Sequence, residues 1–116
     1  MARILIADDD PDQLKIYPAL LETAGHEVAV AWGSSQVVRR AEWADLIMMD
    51  LRMPEASDGM ALIRSIRDSG YTRPVIVVSG WPDEIYGQPE EQMVSRVMVK
   101  PVMIAELFQT IAELTA

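Results

Sequence analysis

The chain contains no cysteine and only one histidine, His26. A disulfide scaffold, thiol catalysis and cysteine-based zinc sites are therefore excluded, as is a site built from several histidines. No apolar run approaches the length needed to cross a bilayer as a helix. Basic residues are few: 10 Lys and Arg stand against 18 Asp and Glu, a formal charge of −8. Non-specific binding to nucleic acid or to an anionic membrane needs clustered cations, and this balance argues against both. There is no repeat, no low-complexity segment and no linker-like stretch. Met1-Ala2-Arg3 runs straight into an apolar strand pattern, so the reading includes no secretory leader and places the protein in the cytoplasm.

What is present fits one globular domain. At 116 residues, half of them apolar and 24% charged, the chain can bury a real core. Residues 1–116 are read as a single domain. Strand-like and helix-like patterns alternate, as in βαβ units around a parallel sheet. The first strand is Arg3 to Ala7. Asp10 and Pro11 suit the cap and first turn of a helix with Leu14, Tyr17, Leu20, Leu21 and Ala24 on its apolar face, stopped by Gly25. Pro18 inside that helix costs a hydrogen bond or a kink. Glu27 to Ala31 is a second, edge strand. Ser34 and Ser35 suit the cap of a short helix through Val37, Val38 and Ala41. Asp45 to Met49 is a third strand with the continuous apolar character of one buried on both faces.

A loop is expected from Arg52 to Asp58 and a helix from Gly59 to Asp68. The fourth strand follows Pro74. Trp81 to Ser95 carries Pro82, Gly87 and Pro89, leaving room only for a short helix over Glu90 to Ser95. Arg96 to Val99 is the fifth strand. Met103 to Leu114 is the last helix, with Ile104, Leu107, Phe108 and Ile111 inward. Trp32 and Trp43 are read as packing residues.

Four of these strands end in groups able to handle a phosphoryl group. The first runs into Asp8-Asp9-Asp10, the third into Asp50, the fourth into Ser79-Gly80 and the fifth into Lys100-Pro101. In an open parallel sheet the ligand site lies beyond the carboxyl ends of the strands, so these residues should converge. Mg²⁺ prefers hard oxygen donors and keeps several waters. A carboxylate can act as the nucleophile that forms an acyl phosphate. Metal and lysine supply positive charge at the phosphoryl oxygens, and a hydroxyl donates to another. Each residue also has an ordinary use: Asp as a turn or cap, Ser as a turn residue, Lys as a solvated charge. Their coincidence on one predicted edge favours the site.

With its motifs Ile4-Leu5-Ile6-Ala7-Asp8-Asp9-Asp10, Met49-Asp50-Leu51-Arg52-Met53-Pro54, Asp58-Gly59, Val78-Ser79-Gly80 and Val99-Lys100-Pro101, the chain resembles a response-regulator receiver domain of bacterial two-component signalling. The resemblance runs from Ile4 to Leu114. It implies a flavodoxin-like α/β fold with a five-stranded parallel sheet in the order 2-1-3-4-5 and helices on both faces. The fourth helix is expected to be short or irregular. It implies Asp50 as phosphoacceptor, with Asp9 as a direct ligand to Mg²⁺ and Asp8 supporting it. The Arg52 backbone carbonyl completes the protein ligands, Ser79 and Lys100 contact the phosphoryl group, and Lys100-Pro101 is cis.

A histidine kinase or histidine phosphotransfer protein would be the donor. A downstream protein of unknown identity would be the target, and the state a monomer or weak homodimer. Three features depart from the pattern. Val97 occupies the position, three before the lysine, where an aromatic is common. The loop between Pro54 and Asp58-Gly59 is one residue longer than usual. The fourth-helix region is rich in Pro and Gly. Trp81 and Arg52, each two residues beyond a site residue, are expected to overhang the site, Trp81 as a shield and Arg52 as positive potential.

Two rivals belong to other classes. A haloacid-dehalogenase-type phosphohydrolase would use Asp8 and Asp10 with Ser79 and Lys100, but needs a further acidic pair after the lysine. Only Glu106 and Glu113 follow, on a predicted helix. A binding module regulated without phosphate would leave the like-charged cluster without a use.

Overall fold

A computed structural model describes residues 1–116. Five parallel strands form one sheet in the order β2-β1-β3-β4-β5, as the resemblance implied. They are β1 (Arg3–Ala7), β2 (Glu27–Ala31), β3 (Leu46–Asp50), β4 (Val75–Ser79) and β5 (Arg96–Val99). Four α-helices connect or follow them: α1 (Gln13–Thr23), α2 (Ser34–Arg40), α3 (Ala56–Asp68) and α4 (Ile104–Leu114).

Side chains alternate across each strand, so the sheet separates two cores. Leu5, Ile47, Met49, Val75 and Val77 point to one face, with Val37, Leu62, Ile63 and Ile66 of α2 and α3. Ile4, Ile6, Leu46, Met48, Ile76 and Val78 point to the other, with Tyr17 and Leu21 of α1 and Leu107 and Ile111 of α4. Burial on both faces explains why the central strands read as unbroken apolar runs.

Several boundaries differ from expectation. Helix α1 begins at Gln13, after the two turn residues Pro11 and Asp12. Asp10 closes the approach: its Oδ1 accepts from the Asp12 N–H at 2.9 Å and its carbonyl from Leu14. The helix runs on through Pro18, but Ala24 at its end is exposed. Ser34 and Ser35 lie within α2, and Gly33 heads it. Helix α3 begins three residues before Gly59, because Asp58 Oδ2 accepts from the Glu55 N–H at 3.0 Å and folds the end of the expected loop into a helical turn. Between β4 and β5 there is no α-helix, only 3₁₀ turns at Pro82–Glu84 and Pro89–Met93. Trp43 packs against the core, whereas Trp32 is 60% exposed and does not serve the packing role expected of it.

The end of the sheet remote from the strand C-termini is tied by Tyr71. Its hydroxyl donates to the Ala44 carbonyl at 3.1 Å, where Arg73 Nη1 also donates at 2.8 Å. Burial pushes the phenol up to about 12. The unfolded tyrosine ionises near its ordinary value of about 10, so the unfolded state releases its proton first and stability falls as pH rises between the two. Tyr71→Phe is expected to cost about 1 kcal/mol near neutrality. It should also lessen the stability lost between about pH 10 and 12. Urea midpoints at neutral and alkaline pH check both; equal alkaline losses in the two proteins would contradict the assignment.

Candidate phosphoacceptor site

Sheet register sets the site. Ala7 pairs with Met49, which puts Asp8 level with Asp50. Asp50 pairs with Val78, so Ser79 stands one step beyond it, and Ser79 pairs with Val99, immediately before Lys100. Asp8, Asp50, Ser79 and Lys100 thus meet at the C-terminal ends of four strands.

Asp50 is held on both oxygens. Its Oδ2 lies 2.8 Å from Lys100 Nζ, and its Oδ1 accepts from the Arg52 N–H at 3.1 Å. Lys100 is positioned by its own N–H, which donates to the Ser79 carbonyl at 2.9 Å, and it precedes the expected cis Pro101. Met53–Pro54 is also cis. Burial pushes the Lys100 ammonium down, but the hydrogen bond and charge of Asp50, with Asp8 and Tyr17 behind, outweigh it and hold the group above the ordinary lysine value.

Asp8 is 3% exposed. Burial, with the charges of Asp50 and Asp9, raises its carboxyl to about 6, against the Asp10 N–H hydrogen bond and the Lys100 charge. Asp9 is exposed to solvent. Ser79 is fully buried, and its Oγ accepts from the Trp81 N–H at 2.9 Å, leaving the hydroxyl proton for another acceptor. Gly59 is part of the support: a Cβ there would meet the Leu51 carbonyl oxygen at 1.8 Å, so only glycine lets α3 approach the segment behind Asp50.

Two neighbours were not legible from the sequence. Tyr17, buried in α1, feels the charges of Lys100, Asp8 and Asp50. Its place in the apolar stripe of α1 hid that proximity. Glu84 takes the Arg52 guanidinium in a bidentate pair, at 2.9 and 3.2 Å. Arg52 also stacks on Trp81, 3.8 Å from the ring centroid. The positive potential expected of Arg52 is therefore offset by Glu84 in this arrangement.

Hard oxygen donors fit Mg²⁺ here. Asp8 and Asp50 share a single ammonium, and Asp9, next to Asp8 in the chain, adds its charge to that of Asp50 on Asp8, which is desolvated. No three acidic or imidazole groups are closed into a ready cage. Mg²⁺ does not require one, since it binds through one or two carboxylates and retains water. A cavity of about 430 Å³ lies at the other end of the sheet beside Arg39, Tyr71 and Arg73 and plays no part in this site.

Residues 4–112 match the model of the response regulator receiver domain. This chain belongs to the receiver-domain family.

The receiver is similar to protein PilH of Pseudomonas aeruginosa, with 33% identity over 117 residues, 96% of this chain and 95% of PilH. It is also similar to the sensory/regulatory protein RpfC of Xanthomonas campestris pv. campestris, with 32% identity over 97% of this chain, but it spans only 16% of RpfC. A receiver domain protein from Clostridium thermocellum superposes with a TM-score of 0.86 at 26% identity, over 99% of this chain and 94% of that one. The receiver domain of a Pseudomonas aeruginosa sensor histidine kinase, with magnesium coordinated in its active-site cleft, gives a TM-score of 0.76 at 26% identity, over 98% and 97% of the two chains. As a receiver, the chain is a signalling domain of two-component systems. No helix is long and apolar enough to cross a membrane.

Proposed function

We propose that residues 1–116 act as one Mg²⁺-dependent receiver that accepts a phosphoryl group on Asp50 and thereby switches protein–protein contacts. The observation that carries this reading is the carboxylate of Asp50 at the end of central β3, with Lys100 Nζ 2.8 Å from one oxygen and buried Asp8 alongside. The donor is a phosphohistidine on a histidine kinase or phosphotransfer protein. A carboxylate oxygen of Asp50 attacks phosphorus; the new O–P bond forms as the P–N bond breaks, and the electron pair returns to the imidazole. Lys100 stays beside the charge on the acceptor and its phosphoryl group, and the free Ser79 proton is placed to donate to a phosphoryl oxygen. Asp8, Asp9, Asp50 and the Arg52 carbonyl are the residues that would hold Mg²⁺. When bound, the cation supplies positive charge to the phosphoryl oxygens. Return of the group to water is the only other reaction this reading assigns to the chain.

The haloacid-dehalogenase reading lacks support in the geometry. Both acids after Lys100 lie on α4, exposed, and Glu113 pairs with Arg96 across the surface. Asp8 is tied to the Asp10 N–H at 3.0 Å and sits level with Asp50, as a neighbour of the acceptor rather than a lone nucleophile. With a formal charge of −8, the partners are proteins rather than nucleic acid or membrane, and a cytoplasmic two-component partner is the one this function assigns. The oligomeric state consistent with this reading is a monomer or weak homodimer.

Intact mass after incubation with acetyl phosphate tests it. One phosphoryl adduct is expected on the wild type with Mg²⁺, and none on Asp50→Asn or without the cation. An adduct that persists in Asp50→Asn would move the acceptor to another residue, Asp8 first.

A further inference from the structure

Val97 leaves no ring to rotate inward, yet the two loops that overhang the acceptor are joined by another route. Arg52 follows β3 and is tied to the acceptor through its backbone N–H on Asp50. Trp81 follows β4 and is tied to Ser79 through its N–H on Oγ. The two side chains stack on each other, and Glu84, on the 3₁₀ turn after Trp81, takes the Arg52 guanidinium with both oxygens. Each end of this latch is one hydrogen bond from a residue that meets the phosphoryl group.

We propose that Glu84 is a positioning residue: it parks the Arg52 guanidinium, stacked on Trp81, away from the acceptor, and a phosphoryl group on Asp50 takes Arg52 from Glu84 and frees the Trp81–Glu84 turn. This rests on Asp50 being the phosphoacceptor.

Three observations favour an exchange over a fixed brace. The pair is partly solvated, with side chains 39% and 30% exposed, and such pairs are weakly held. A phosphoryl group carries more charge than a carboxylate and three acceptor oxygens, which suits a bidentate guanidinium better than Glu84 does. The Ser79 hydroxyl, drawn to the same phosphoryl group, also pulls on the Trp81 backbone. Motion stops short of β5. Ile85 is fully buried, Glu90 pairs with Arg64, and the Met93 carbonyl accepts from Arg67 Nε at 2.8 Å. The freed turn exposes the second face of Trp81, which is already 57% exposed.

The test is ¹⁹F NMR of the whole chain carrying 5-fluorotryptophan, with Trp81→Phe assigning the resonance. Mg²⁺ and beryllofluoride load the acceptor, and the bound beryllofluoride reports occupancy in the same spectrum. Loading is expected to shift the Trp81 signal. Glu84→Ala should place it near the loaded position before any loading. The exchanged pair R52E/E84R restores the latch with the wrong sign facing the phosphoryl group. Its Trp81 signal should resemble the unloaded wild type and stay there when beryllofluoride binds, which a merely structural role would not produce. Bound beryllofluoride with an unmoved Trp81 signal in the wild type overturns the latch and leaves the acceptor reading standing. So does a Glu84→Ala spectrum equal to that of the unloaded wild type. No bound beryllofluoride signal overturns both.

Discussion

Gly59→Ala is expected to destabilise the protein severely. The added methyl carbon would lie 1.8 Å from the Leu51 carbonyl oxygen, 2.6 Å from its carbon and 2.9 Å from its Cα. All three are backbone atoms of a residue that is fully buried, so no side chain can swing aside. Relief requires α3 to lift off the sheet or the segment after Asp50 to shift. Overpacking against yielding side chains costs about 1–3 kcal/mol, and a backbone clash should reach the top of that range or exceed it. Against a total stability of about 5–15 kcal/mol, this is a large fraction. A melting temperature lower by more than about 10 °C is expected. Leu51 lies between Asp50 and Arg52, so any surviving fold should also show slower phosphoryl uptake. Thermal denaturation followed by circular dichroism reads the first effect. An unchanged melting temperature would show that α3 does not pack against the Leu51 carbonyl.

The second large effect has the opposite sign. Asp8→Asn is expected to stabilise the protein in the absence of divalent cations. Burial, with Asp50 and Asp9 nearby, raises the Asp8 carboxyl to about 6, above the ordinary value near 4 of the unfolded chain. The folded state therefore holds the proton more tightly. Its stabilisation from this group is complete below about pH 4 and lost as pH rises through about 6, so at neutrality the ionised carboxylate opposes folding. Asparagine removes the charge and keeps an oxygen for the Asp10 N–H, which Asp8 Oδ1 now accepts at 3.0 Å. The gain should be about 1–3 kcal/mol at neutral pH, several degrees in melting temperature, and should vanish near about pH 4. Added MgCl₂ should reverse the ranking, because a ligand that binds only the folded state stabilises it by mass action and Asp8→Asn weakens that site. Melting curves at two pH values, with and without MgCl₂, separate these effects. A variant that melts below the wild type in EDTA would show that the Asp8 charge is not a folding penalty.

The alternation of apolar strands and amphipathic helices made the parallel sheet legible, because side-chain period and burial on both faces are local properties of the chain. The candidate site was legible for the same reason: Asp8, Asp50, Ser79 and Lys100 each directly end a strand or follow one, and all strand ends of a parallel sheet share an edge. Helix starts were less legible. The α3 boundary depended on Asp58 turning back to the Glu55 N–H, and the head of α1 on the turn closed by Asp10. Trp32 was misjudged because its size suggests burial, while its position past the end of an edge strand leaves no second layer to cover it.

By itself, then, the sequence determined which residues line the strand ends and which faces of the helices are apolar, since both follow from local periodicity. Only the tertiary structure decided that Glu84, 32 positions away, neutralises Arg52. It also decided that Tyr17 lies within reach of the site charges and that Gly59 admits the Leu51 carbonyl. Those are contacts between segments distant along the chain, set by sheet register and helix approach, and no local pattern records them.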